Sequence, residues 1–180
     1  MPRVKTKIQN VVVSVTYEGT EFNLEKLART IDSTDYDPEV FPGVVYKSEV
    51  PRASFLIFSS GKMNCVGAKS IKDAKLAIKK LTRKLQRSGV KIKSEPKIKV
   101  QNIVASVDFD RRFDLENIAK NFENAEYEPE VFPGLVFRLD DPKVVVLLFV
   151  SGKGVCAGAK SKRDVERAAE RITKLRLPGG

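Results

Sequence analysis

Asn10 and Asn102 are polar residues set inside apolar runs, QNVVV and QNIVA. A carboxamide in such a place has a donor and an acceptor to offer a ligand, and it can equally cap a local turn through its oxygen. Composition removes most other chemistry. With no His, the chain lacks the usual general base, the Ser-His-Asp triad and the commonest zinc ligand. Cys65 and Cys156 are too few for a structural zinc site and are not spaced as CxxC. They read as small buried apolar residues in a reducing compartment. Asp37, Glu39, Glu128 and Glu130 fall in loops without a base or a metal-ligand cluster, and no phosphate-cradling GxxxxGK[ST] loop is present. The expectation is a binding protein with no cofactor and no metal, not an enzyme.

The elements that hold these residues are written twice. Gln9 and Asn10 recur as Gln101 and Asn102, and PEVFPG at Pro38 to Gly43 recurs at Pro129 to Gly134. Ser60-Gly61-Lys62 recurs at Ser151-Gly152-Lys153, and GAKS at Gly67 to Ser70 recurs at Gly158 to Ser161. The spacing shortens by one residue in the turn near Asp110 to Arg112. The chain therefore divides into repeats 1–94 and 95–180, joined through Arg87 to Lys99. Each copy opens on a strand, Ile8 to Tyr17 or Val100 to Phe109. A helix follows, with Leu24, Leu27, Ala28 and Ile31, or Leu115, Ile118, Ala119 and Phe122, at helical spacing. Asn23 and Asp114 are placed to cap these helices. Short extended runs come next: Val44 to Glu49, Ser54 to Ser59 and Met63 to Val66, then Leu135 to Leu139, Val144 to Val150 and Val155 to Ala157. A longer helix closes each copy, with stripes at Ile71, Ala74, Ile78, Leu81 and Leu85 and at Val165, Ala168, Ala169 and Ile172. Ser70 and Ser161 start these helices. Their far faces are basic, through Lys72, Lys75, Lys79 and Arg83, and Arg163, Arg167, Arg171 and Lys174. These read as solvated faces or as a partner surface.

A surface sheet should alternate apolar with polar residues, yet Phe55 to Phe58 and Val144 to Val150 are continuously apolar. One face must pack on the helices, whose single stripes leave nothing to cover the other. A large exposed apolar face marks a binding surface. The net charge of +10 favours a polyanion. The DNA minor groove combines phosphates with apolar sugar walls, and in A·T pairs its floor carries only acceptors. Asn10 and Asn102 can donate to that floor. Val12, Leu56, Val104 and Leu147 would leave the guanine amino group without an acceptor. A duplicated protein also suits the near-twofold symmetry of a duplex. Each apolar run stops well short of the ~20 residues that a membrane-crossing helix needs. The first residues do not resemble a signal peptide, so the expectation is a soluble, intracellular protein with no membrane partner.

The paired Gln-Asn, PEVFPG, FSSGK and FVSGK, and GAK motifs resemble those of the TATA-box-binding protein family in its archaeal-length form, over about Ile8 to Leu175. The resemblance implies an α+β, pseudo-twofold saddle: a curved ten-stranded antiparallel sheet with four helices on the convex face. It implies a transcription initiation factor that binds A·T-rich promoter DNA as a monomer, leaving the apolar face open to dimerisation when free. Phe41 and Phe58, and Phe132 and Phe149, would be wedges that kink the duplex. Val12, Leu56, Val66, Val104, Leu147, Val155 and Ala157 would line the groove. Lys47, Arg52, Ser60 and Lys62, with Arg138, Lys143, Ser151 and Lys153, would meet phosphates. Glu128, Glu130 and Val131 would face transcription factor B, and RNA polymerase would follow. The compartment would be the archaeal cytoplasm, at the nucleoid, or the nucleus of a eukaryote. Val66 and Ala157 stand where the family often has Thr, and Asn64 where it usually has Val, which leaves Asn10 and Asn102 with most of the polar readout. A non-specific architectural DNA binder and a single-stranded RNA module with stacking aromatics are the competing readings.

Overall fold

The computed structural model describes residues 3–180. The elements are β1 (Lys5–Thr16), α1 (Leu24–Thr30), β2 (Thr34–Asp35), β3 (Val44–Glu49), β4 (Arg52–Ile57), β5 (Lys62–Ala68) and α2 (Ile71–Arg87). They recur as β6 (Lys97–Asp108), α3 (Leu115–Asn121), β7 (Ala125–Glu126), β8 (Leu135–Asp140), β9 (Lys143–Leu148), β10 (Lys153–Ala159) and α4 (Lys162–Lys174). Among the described residues, ten antiparallel strands and four helices place the chain in the expected α+β class.

Two compact units result. The first is Asn10–Gln101; the second combines the described residues up to Gln9 with Asn102–Gly180. The leading ends of β1 and β6 are thus exchanged between copies. In the second unit Gln9 Nε2 donates to Ser106 Oγ at 3.0 Å, and in the first Gln101 Nε2 donates to Ser14 Oγ at 2.9 Å. Strand order is β2-β3-β4-β5-β1 in the first unit and β7-β8-β9-β10-β6 in the second. The two-residue strands β2 and β7 are too short to show alternation in sequence. They are defined by pairing, Thr34 opposite Tyr46 and Ala125 opposite Phe137.

Period-2 alternation sends one set of side chains from each strand into the core. Val11, Val13, Val15, Phe55, Ile57, Met63 and Cys65 are buried in the first unit, and Ile103, Ala105, Val107, Val146, Leu148 and Cys156 in the second. Helix α2 packs on β4 and β5, and α4 on β10. Of the predicted stripes, Ala74, Ile78, Leu81 and Leu85 on α2 and Val165, Ala168, Ala169 and Ile172 on α4 are buried, whereas Ile71, in the first turn of α2, is only half-buried and Ala77 joins the buried set. Each buried Leu or Ile contributes ~1.5–3 kcal/mol by leaving water. Truncating Leu81 to Ala would add a cavity cost, for ~2–5 kcal/mol in all. All four expected N-caps form. Asn23 accepts from Lys26 N, Ser70 from Asp73 N, Asp114 from Asn117 N and Ser161 from Asp164 N.

Candidate nucleic-acid interface

The alternate residues of the strands in each unit face outward, and the apolar ones are half-buried by their neighbours. Strand register sets them in rows. In the first unit Val45, Leu56, Asn64 and Ser14 lie side by side. In the second the row is Val136, Leu147, Val155 and Ser106. Lys47, Ser54 and Val66 form a flanking row, matched by Arg138, Val145, Ala157 and Val104. Val12 sits on the same outward side of β1, between buried Val11 and Val13. The seven expected groove residues, Val12, Leu56, Val66, Val104, Leu147, Val155 and Ala157, are all half-exposed on these faces. Val45, Val136, Val145 and Ser54 belong to the faces as well, and sequence reading missed them. Counting by twos from Leu56 and Leu147 would have found Val145 and Ser54.

A bulge fixes the orientation of the two asparagines. The register of β1 against β5 slips between Val11 and Val13, and that of β10 against β6 between Ala157 and Ala159. The extra residues include Gly67 and Gly158, at φ of +88° and +95°, a left-handed conformation that needs glycine. Each glycine N–H, released from the ladder, donates to a side chain. Gly67 N meets Asn10 Oδ1 at 2.7 Å, and Gly158 N meets Asn102 Oδ1 at 2.7 Å. A backbone N–H can only donate, so the atom facing it must be oxygen. Each Nδ2 amino group has no hydrogen bond among the described residues and is the donor left over for a ligand. The turn-capping and ligand-binding readings of these residues are therefore compatible, because different atoms serve each. The outward group is a pure donor.

The four phenylalanines occur as two edge-to-face pairs. Phe41 and Phe58 have ring centroids 5.8 Å apart, and Phe132 and Phe149 are 5.9 Å apart. None belongs to the buried core, and Phe132 is 37% exposed. Tight turns set the loop members in place: Phe41 N donates to Asp37 O at 2.9 Å, and Phe132 N to Glu128 O at 3.0 Å. Phe58 and Phe149 lie one residue beyond β4 and β9. The glycine of PEVFPG lies under each pair. A Cβ on Gly43 would stand 2.9 Å from Phe41 Cε2 and 2.9 Å from Ile57 O. One on Gly134 would stand 2.7 Å from Phe132 Cε2 and 2.8 Å from Phe149 Cε1. Only a bare backbone lets the rings sit this low.

Cations surround the apolar rows. Lys47, Arg52, Ser60 and Lys62 are exposed in the first unit, and Arg138, Lys143, Ser151 and Lys153 in the second. Among the described residues, two of the six cations in these sets form ion pairs. Lys153 Nζ meets Asp108 Oδ2 at 2.6 Å, and Arg138 lies 3.8 Å from Glu126. The hydrogen bond from Lys153, with one from Asp110 N, holds the Asp108 carboxyl below the usual carboxylate range. Lys62 faces Thr16 instead, and the described residues give it no ion pair. Glu128, Glu130 and Val131 form an exposed loop tip, with Val131 80% accessible. The first copy presents Asp37, Glu39 and Val40 likewise. Burial pushes the thiols of Cys65 and Cys156 up to about 11, which suits core residues and not nucleophiles.

The family model for transcription factor TFIID (or TATA-binding protein, TBP) matches residues 5–88 and 97–175. A TATA-box-binding protein of Methanocaldococcus jannaschii is 51% identical over 166 residues, covering 92% of this chain and 90% of that one. One from Methanothermobacter thermautotrophicus is 50% identical over 177 residues, with 98% and 97% covered. A solved structure described as Methanococcus jannaschii TBP superposes with a TM-score of 0.86 at 49% identity, over 93% of this chain and 95% of that one.

Proposed function

The chain belongs to the TATA-binding protein family, a family of DNA-binding transcription factors and not of enzymes, and from that premise we propose that it binds the minor groove of A·T-rich promoter DNA and kinks it. Each unit supplies one apolar outward face, one outward asparagine donor and one phenylalanine pair to its half of the site. The observation that carries this reading is the fixed polarity of Asn10 and Asn102. A·T pairs present only A N3 and T O2 acceptors in the minor groove, and an Nδ2 group answers either. G·C pairs add the N2 donor, which the neighbouring Val and Leu side chains cannot satisfy, at a cost of ~1–3 kcal/mol per stranded group.

The phenylalanine pairs would enter base steps as wedges. Unstacking costs a few kcal/mol per step, offset as the widened groove takes up the apolar rows. Phe suits the task because it stacks on a base and carries no polar atom needing a partner. Lys47, Arg52, Ser60, Lys62, Arg138, Lys143, Ser151 and Lys153 would hold the register on the backbone, making affinity fall with salt without adding sequence information. The acidic loop of Glu128, Glu130 and Val131 would meet a basic surface of transcription factor B, which brings RNA polymerase to the promoter. The chain would act as a monomer on DNA, in the cytoplasm of an archaeon.

Bending tests this reading. An A·T-rich duplex carrying a donor and an acceptor dye at its ends should gain energy transfer when the protein binds. Phe149→Ala should cut that gain while the fold persists, since Phe149 is only half-buried. Binding with no change in transfer would refute the wedge assignment.

A further inference from the structure

The two outward faces are not chemically equal. At one place in the central rows the first unit has Asn64 where the second has Val155. Asn64 lies between Leu56 and Ser14, half-buried and beside a surface hollow of about 450 Å³ that also touches Ser14, Thr16, Phe58 and Lys62. Asn10 and Asn102 have their oxygens taken by glycine N–H groups. Among the described residues, no hydrogen bond or ion pair engages the Asn64 carboxamide. Its acceptor is therefore open to a ligand as well as its donor, and a turn about its last torsion exchanges them.

Given the minor-groove reading above, on which this rests, we propose that Asn64 lets the first unit accept a G·C pair that the second unit rejects. Oδ1 of Asn64 would receive the guanine N2 amino group, and Nδ2 would donate to cytosine O2 or, in an A·T site, to A N3 or T O2. Val155 offers no acceptor, so a guanine beneath it keeps a buried donor unpaired. Ser54 against Val145, on the flanking rows, tilts the first unit the same way. The chain would thus read a site with two unlike halves and lie on it in one preferred direction.

Titration of dye-labelled duplexes, followed by fluorescence anisotropy, tests this. A palindromic A·T site is the parent; guanine is scanned through one half, then placed in both halves together. At one position, wild type should tolerate the single substitution within about twofold, because it can set its first unit there. Asn64→Val, which copies the second unit, should lose about tenfold on the same duplex, the usual scale for one mismatched pair. Placing guanine in both halves should cost wild type about tenfold, and Val155→Asn should recover most of that loss. Equal guanine penalties for wild type and Asn64→Val at every position would overturn the inference while leaving the minor-groove reading intact. Failure of wild type to prefer the parent duplex over an all-G·C one would remove that reading and the inference with it.

Discussion

Replacing Asn102 by Asp separates the two jobs of one side chain. The inner oxygen accepts the Gly158 N–H at 2.7 Å. A carboxylate oxygen takes such a bond at least as well, so the bulge should survive with stability changed by no more than ~0.5 kcal/mol. The outer atom changes from an amino donor to a second carboxylate oxygen. Loss of a donor to a base edge costs ~1–3 kcal/mol. Pressing an unpaired acceptor onto the acceptors of an A·T floor strands it, for a further ~1–3 kcal/mol. At 1.4 kcal/mol per factor of ten, affinity should fall by at least ~30-fold. Asn102→Ala loses the base contact too, but without the stranded oxygen, and it leaves Gly158 N–H without its acceptor. The two variants should therefore rank in opposite orders: Asp the more stable, Ala the tighter binder. Urea denaturation gives the first order, and anisotropy titration with an A·T duplex at fixed salt gives the second. An Asp variant that binds as wild type does, or that is less stable than the Ala variant, would refute the assigned polarity.

Gly134→Ala places a methyl 2.7 Å from Phe132 Cε2 and 2.8 Å from Phe149 Cε1, so the rings must lift; DNA bending should weaken although no proposed DNA contact is removed, as end-to-end energy transfer would report. Asp108→Asn should release Lys153 from its 2.6 Å ion pair, steepening the dependence of log K on log salt by up to ~0.9 if the ammonium then meets a phosphate. An unchanged slope would leave Lys153 outside the phosphate contacts. Cys65 and Cys156 are fully buried with thiols raised to about 11, so at pH 8 only ~0.1% would be thiolate even if reached. A thiol reagent should label neither in the native protein and both in denaturant; rapid native labelling would contradict the packing of β5 and β10.

Sequence carried the parts of this fold that depend on near neighbours. Asn23, Ser70, Asp114 and Ser161 cap helices because the groups they satisfy lie three residues on, and that spacing is visible in one dimension. The stripes of α2 and α4 were legible for the same reason. Strands β2 and β7 were not, since two residues show no period and only pairing defines them. Duplication made the PEVFPG glycines stand out, but not their purpose, which depends on Phe58 and Phe149 arriving from distant strands. The asparagines show the limit most clearly. Their repetition singled them out as candidate base contacts, but which atom is left for a ligand depends on a bulge 57 residues away in one copy and 56 in the other. Asp108 as a neighbour of Lys153 was equally hidden, because 45 residues separate them.

The most direct test of minor-groove reading is to exchange the bases while keeping one groove's pattern. Inosine–cytosine pairs resemble A·T in the minor groove, lacking the N2 amino group, but resemble G·C in the major groove. Titration of the same site built from A·T, I·C and G·C pairs should give I·C affinity close to A·T, with G·C weaker by ~1–3 kcal/mol for each pair that faces Val or Leu. Affinity for I·C that matches G·C instead would place the reading in the major groove and contradict the account.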